Sequence, residues 1–457
     1  MRWGIIAVTV LWGGVGLGEE RVADEQKEAD PVQGKIEATA HRNDEFVPAS
    51  PKPQYYKGNI HTHSLWSDGN DFPEMIAEWY RTHGYNFLAL SDHNVLSEGT
   101  RWMKYSAIVK RGGKLALKKY QTRFGNEWVE TRGRVDTDDY AVRLKPLDEF
   151  RSLVEERGKF IMIQGEEISD RVKKKPLHMN ATNLLEAIPP SGGSTIREAM
   201  EANLRAVEDQ ARRTGREVLV HLNHPNFGYG ITAEDLAFVV RERFFEVYNG
   251  HPSINHLGDN THPAVERLWD IANTIRLSEL NAAPLFGVAT DDSHDYHGKP
   301  GSHTGRGWVQ VRSRYLSPEH IIRGIKAGDF YASSGVKLKE VSYDAKEKLL
   351  TLQIDTKPGV TYTTQFIGTV EDYRTMPTGV NKEEGEPPSE QKYTSPAIGK
   401  VLDTATGASP QYRLTGSELY VRAVVTANQD HPILHSRGSN NKPGHNPSAG
   451  DSVLSNE

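Results

Sequence analysis

The sequence predicts an α/β fold, a parallel β/α barrel followed by a smaller β-rich extension. Three observations carry this. Strand patterns alternate with helix patterns from Tyr55 to Ala327, the signature of βαβ units around a parallel sheet. Five of the strand patterns end in His, Asp or Glu, and in β/α barrels the chemistry sits at the strand C-terminal ends. After Gly335 the helix patterns cease and only strand patterns remain.

The elements follow in order. An apolar piece from Tyr55 ends in Gly58-Asn59-Ile60-His61. A helix is expected over about Asp71 to His83, with Asp71 as N-cap and Gly84 as stop. Asn86 to Leu90 reads as a short buried strand ending at Ser91-Asp92-His93. Residues 97–146 are charged and irregular and read as an insertion, in part helical, whose basic stretch near Lys104 to Arg134 is a candidate cover for the barrel mouth. Leu147 to Arg157 is helical, and Lys159 to Gln164 a strand ending at Gly165-Glu166-Glu167. Thr195 with Glu198 forms a capping-box pattern for a helix that Gly215 ends. Glu217 to Leu222 leads to Asn223-His224-Pro225, Phe244 to Tyr248 is a strand, and Ala264 to Arg276 a helix. Leu285 to Ala289 ends at Thr290-Asp291-Asp292-Ser293-His294, and Pro318 to Ala327 is the last helix. In the extension, residues 336–428, strands are expected at Leu349 to Ile354, Thr361 to Ile367 and Leu419 to Val425. A loop is expected from Met376 to Ser395, and a disordered tail over 429–457.

Composition narrows the function. The 457 residues are 37% hydrophobic and 25% charged, with formal net charge −6, which suits a globular protein and gives no reason to expect a nucleic-acid polymer as partner. With no cysteine and 18 histidines, disulfides and thiolate zinc sites are excluded, and any metal must be held by His, Asp and Glu. Arg2, the apolar run from Trp3 to Leu17 and the small residues Gly16 and Gly18 read as an export signal over residues 1–18, cleaved after Gly18, followed by a linker over 19–54. This predicts a periplasmic or extracellular protein with no membrane span after cleavage. The oligomeric state is not legible.

His61-Thr62-His63 follows a strand, and two histidines separated by one residue on extended chain point to the same side. Asp68, Asp92-His93, Glu166-Glu167, His178-Met179-Asn180, His221, His224 and Asp292-Ser293-His294 follow in turn at or near strand ends. Carboxylates and imidazoles converging on one barrel mouth need a counter-charge, which divalent metal ions supply.

The order His-x-His, Asp, His, Glu, His, His, Asp-x-His resembles the polymerase-and-histidinol-phosphatase (PHP) superfamily of metal-dependent hydrolases. The resemblance covers about Tyr55 to Ser334 and implies a distorted (β/α)7 barrel spanning 55–335, with two or three divalent ions, Mn, Zn or Fe. It implies that His61, His63, Glu167 and Asp292 hold one metal. Glu167 would bridge to a second, with His178 and His224, while Asp68, His93 and His294 would hold a third. Glu167 is preferred to Glu166 by the family's Gly-x-Glu, and Asp292 to Asp291 by Asp-x-His; His221 is left as a strand residue. Gly58 to Ser64, His178-Met179-Asn180, Glu246 to His251 and the β extension are similar to a branch that includes a carbaryl hydrolase. The implied activity is hydrolysis of a small molecule by a metal-bridged hydroxide, foremost of phosphate esters, with carbamate or carboxyl-ester cleavage as the alternative and a non-catalytic binding barrel as a third. His93 and His294 are candidate proton donors to the leaving group. Arg306, in the Gly-rich stretch that also carries His297 and His303, is a candidate to hold an anionic substrate group.

Overall fold

The computed structural model describes residues 6–10, 50–298, 300–373 and 395–429. The strands that build the mouth are Gln54–Asn59 (β1), Phe87–Leu90 (β2), Ile161–Val172 (β3), Lys175–Thr182 (β4), Leu219–Leu222 (β5), Phe244–Asn249 (β6), Phe286–Thr290 (β7), Trp308–Ser313 (β8) and Phe330–Ser333 (β9). The extension adds Tyr362–Val370 (β10), Lys400–Thr406 (β11) and Glu418–Ala427 (β12). Among the described residues one sheet of 13 strands runs β7-β6-β5-β4-β3-β2-β1-β8-β9, then Ile6–Val10, then β12-β10-β11.

The nine strands from β7 to β9 curl into a nearly closed barrel. Its seam is drawn together at the strand C-terminal ends: His63 N–H donates to Ser293 O and Asp292 N–H to His61 O, both at 3.0 Å. The interior follows from the sequence. β2 is buried at all four positions, as expected where both faces of a strand are covered. Ile60, Phe87, Ile163, Leu219, Val288 and Val309, drawn from strands around the ring, share one cluster with Ile321, Ile322 and Ile325 of the helix Pro318–Lys326. Burying each such side chain stabilises the fold by about 1.5–3 kcal/mol. Gly58 is required for close packing here, because a Cβ would lie 2.1 Å from the Phe87 ring.

The strand pattern departs from a seven-fold β/α repeat at two places. β4 runs antiparallel to both its neighbours, as does β8. β3 extends well past Gln164 because the chain turns at Lys173, with φ 57, and returns as β4, so that Glu167 lies opposite Asn180 and Ser169 opposite His178. β4 carries a period-two pattern, Leu177, Met179 and Ala181 alternating with His178, Asn180 and Thr182, a strand not assigned from the sequence. Helix ends match their signals closely. In Pro73–Thr82 (α1) the N-cap is Phe72, not Asp71, because Pro73 takes the first helical position; the Asp71 carboxylate accepts the Phe72 N–H. Thr195 caps Ile196–Thr214 (α2) by accepting the Glu198 N–H. Glu198 returns to Ser194 rather than to Thr195, so half of the expected box forms.

Residues 97–146 fold as two helices, Tyr105–Gly112 and Ala116–Phe124, with a three-stranded sheet. Their core joins Ile108, Leu117, Tyr120 and Val142 to Leu65, Trp66 and Phe72, so the insertion buttresses the loop that carries Asp68. In the extension, β12 and β10 face Val265–Ser278 (α3), where Asp270 meets Arg422. Ile6–Val10, inside the run read as an export signal, pairs with β9 and β12; a cleaved leader and this pairing exclude each other in one molecule. The remainder of the expected signal, most of the linker, the loop from Arg374 to Thr394 and the tail beyond Gln429 lie outside the described residues. No helix among the described residues is long and apolar enough to cross a membrane.

Candidate metal centre

His61 and His63 follow β1 where the chain is still extended, and both rings are fully buried on one side. Their Nε2 atoms stand 3.1 Å apart, each 3.2 Å from Asp292 Oδ1. The hydrogen-bond partners decide the tautomers. His61 Nδ1 lies 2.6 Å from the Glu246 carboxylate, an acceptor only, so the proton is on Nδ1. Ser67 gives its hydroxyl proton to Asp92, at 2.5 Å, and therefore accepts from His63 Nδ1 at 3.3 Å. Two imidazole lone pairs and a carboxylate oxygen thus converge on one point, an arrangement that repels itself unless a cation or a proton lies between.

Glu167 stands at the centre. Its Oε1 lies 2.9 Å from His178 Nδ1 and 3.4 Å from His224 Nε2. Oε2 lies 3.3 Å from His63 Nε2 and 2.7 Å from His93 Nδ1, yet this buried oxygen makes no well-directed hydrogen bond. Donors bound at about 2.0–2.1 Å around one metal stand roughly 3.0–3.4 Å apart, the spacing of most of these pairs. The residues fit divalent ions. A further group joins Asp68, His93, His294 and His63: Asp68 lies 3.3 Å from His294 Nε2 and 3.5 Å from His93 Nε2. His294 Nδ1 points at the Asp292 carbonyl, 2.9 Å away, so it carries the proton and leaves the Nε2 lone pair toward Asp68.

Electrostatics agree. Burial works against ionising Glu167, but the His93, His178 and His61 rings outweigh it and hold the carboxyl well below its usual range. Burial also opposes protonation of His93, yet Glu167 and Asp68 push the ring up to about 11. His294 rises to about 9 against burial through Asp68 and Asp292. His63 falls to about 4, by burial and by the neighbouring His294. Where these rings take up protons, they stand in for metal cations.

All nine candidate ligands meet at this mouth. Glu166 does not: its Oε1 accepts the Ile188 N–H at 2.5 Å, and burial raises its carboxyl to about 7. Asp291 is likewise turned away, its carboxylate holding the N–H groups of Gly305, Arg306 and Gly307 and the Tyr80 hydroxyl. That leaves Asp292 at the cluster, with left-handed backbone, φ 46, of the kind that strained functional sites retain. The Arg306 guanidinium donates to Gly250 O at 2.7 Å, so its visible contact is structural. His297 reaches Asn70 O and His303 reaches Asp295 O.

Three residues were not legible as site residues. Asn223 donates to Glu167 Oε1 at 2.8 Å and to Asn180. Glu246 holds His61, and the available signal was the stretch Glu246 to His251, singled out by resemblance but with no role given to Glu246. His251 accepts the Ser253 N–H at Nδ1, which leaves its proton on Nε2, and its ring lies 5.5 Å from that of His294.

No family model matches the chain, and no curated protein matches it. Among solved structures the chain is similar to a two-domain protein from Bacteroides vulgatus ATCC 8482 containing a predicted PHP-like metal-dependent phosphoesterase. That match is at 17% identity and TM-score 0.36, over 85% of this chain and 91% of the other. A second match is a protein from Bifidobacterium adolescentis ATCC 15703 whose assignment as a metal-dependent phosphoesterase is itself an inference. It has 14% identity and TM-score 0.28, over 61% of this chain and 98% of the other.

Proposed function

We propose that the protein is a metal-dependent hydrolase of the PHP type, acting on small phosphate esters. The observation that carries this is the convergence of His61 and His63 Nε2 with Asp292 and Glu167, donors gathered at metal-ligand spacing around one point that needs positive charge. His61, His63, Glu167 and Asp292 would hold one ion, Glu167 with His178 and His224 a second, and Asp68, His93 and His294 a third. The nitrogen and oxygen donors suit Mn, Zn or Fe(II). Such ions supply Lewis acidity and a water acidified to near neutral pH. The chain's own part is to fix Glu167 through Asn223, and to tilt the His294 and His61 lone pairs inward through their Nδ1 partners. A phosphate ester would bring several anionic oxygens to a mouth whose negative carboxylate charge bound divalent ions would reverse, which favours this substrate class. The Nε2–H of His251 stands at the rim as a donor for the leaving-group oxygen, while His93 and His294 serve as ligands first. Arg306 remains the nearby cation for an anionic substituent, once released from Gly250. The same apolar leader leads us to propose export from the cytoplasm.

The test is a hydrolysis screen of protein reloaded separately with Mn, Zn and Fe(II), against phosphate mono- and diesters, carboxyl esters and carbamates. Metal-dependent release of phosphate or alcohol from a phosphate ester is expected. Turnover of carbamates or carboxyl esters alone would move the protein to the carbaryl-hydrolase-like reading, and binding of metal with no turnover of any class would make it a binding barrel.

A further inference from the structure

Glu246 is buried, lies on β6 outside the ligand set, and touches both inner sites at once. Oε1 accepts the His61 Nδ1–H at 2.6 Å and the Thr290 hydroxyl at 2.6 Å. Oε2 accepts the backbone N–H of His224 at 2.8 Å and the Asn249 amide at 2.7 Å. That same Asn249 amide reaches Asp292 Oδ2 at 3.1 Å. One carboxylate therefore sets the tautomer of a ligand of the first site, the backbone position of a ligand of the second, and, through Asn249, the placement of Asp292. The ring of His221 adds a further nitrogen 3.7 Å from Oε1. A carboxylate behind a metal-binding imidazole fixes its orientation and raises its basicity; here the carboxylate is shared.

We infer that Glu246 is a positioning residue that couples the two inner metal sites, so that weakening it weakens both together. This rests on the reading that the mouth binds metal. His61 can ligate through Nε2 only while its proton stays on Nδ1, and the anionic Glu246 is what keeps it there. Glutamine has nearly the same shape but is neutral, and its amide can donate as well as accept, so the His61 proton is no longer confined to Nδ1. The His224 N–H loses an anionic partner in the same exchange.

The experiment titrates metal-free protein with Mn(II) or Zn(II) alone, in competition with a chromophoric chelator, for wild type and Glu246→Gln. Melting curves of the metal-free proteins are recorded beside it. The expected result is that two equivalents weaken together by roughly 10–100-fold, a third held by Asp68, His93 and His294 is retained, and the metal-free melting curve stays in place. Loss confined to one equivalent, or no loss, overturns the coupling. A wild type that binds no metal defeats the metal reading itself, which is a different result. Should Glu246→Gln fail to fold, Thr290→Val removes one hydroxyl donor and keeps the carboxylate. It is expected to weaken the same two equivalents by a few-fold, and unchanged or single-site binding there overturns the proposal equally.

Discussion

Two of the buried charge clusters among the described residues are built in opposite ways. Between α3 and β12, Arg422 donates from Nε and Nη2 to the two oxygens of Asp270, both at 2.9 Å, and from Nη1 to Glu266 at 2.8 Å. Tyr420 donates to Asp270 at 2.8 Å. Burial works against the guanidinium, but Asp270 outweighs it and drives its proton affinity higher still. Donors face acceptors throughout, so the cluster is complete. At the barrel mouth, by contrast, His61 and His63 present lone pairs to one another, and Glu167 Oε2 touches imidazoles without a well-directed bond. A cluster made for stability neutralises itself. One made for binding keeps its donors together and waits for charge from outside.

The largest expected effect breaks the complete cluster. Arg422→Leu leaves Asp270 buried and unpaired and is expected to cost about 3–5 kcal/mol of stability, measured by denaturant unfolding. The pair Asp270→Leu with Arg422→Met should recover most of that loss. Metal affinity at the mouth should be unchanged in both; a parallel loss of metal would show that the two clusters are not independent.

Next comes the mouth itself. Glu167→Gln is expected to lower activity at least about a hundredfold, as for removal of a principal electrostatic group, and to lower the number of metals bound. Glu166→Gln should cost little, since its carboxyl faces the Ile188 N–H rather than the cluster and burial already raises it to about 7, lowering its charge near neutral pH. Assays of both under one metal-loading protocol decide it: a dead Glu166→Gln beside an active Glu167→Gln reverses the assignment.

A smaller and graded effect follows from pH. In the metal-free protein His93 and His294 titrate near 11 and 9, so both carry protons at neutral pH. Metal must expel those protons to bind. Affinity is therefore expected to rise with pH through about 9 and beyond, and binding at pH 7 to release protons, read by calorimetry in buffers of different ionisation enthalpy. Proton uptake on binding would contradict the donor assignment.

The smallest effect concerns Ile6–Val10. If the leader is removed, N-terminal sequencing of exported protein finds Glu19, and the strand between β9 and β12 is missing from the mature chain. An intact Met1 in cytoplasmic protein would instead favour the paired strand.

Much of the mouth was legible because its donors sit at strand ends in a fixed order. Short apolar runs between helix patterns located β1, β2, the first part of β3, β5, β6 and β7, and the pair His61 and His63 shares a side because the chain there is extended. Caps such as Thr195 and Gly215 are local chemistry and were readable for the same reason. Other features were not local. β4 does alternate, Leu177, Met179 and Ala181 with His178, Asn180 and Thr182, a strand signal passed over in favour of the ligand motif; only its antiparallel pairing with β3 and β5 was beyond local reading. The choice of Glu167 over Glu166, or Asp292 over Asp291, is a choice of strand face and backbone turn, which sequence alone left to resemblance. Glu246 is an ordinary strand glutamate until the barrel closes and sets it behind His61. Arg306, a sequence candidate to hold an anionic substrate group, has a contact with Gly250 O that no sequence pattern foretells. Residue order determines which donors exist and roughly where the strands end; only closure of the barrel brings donors distant in sequence within bonding distance, and it alone decides which lone pairs point inward.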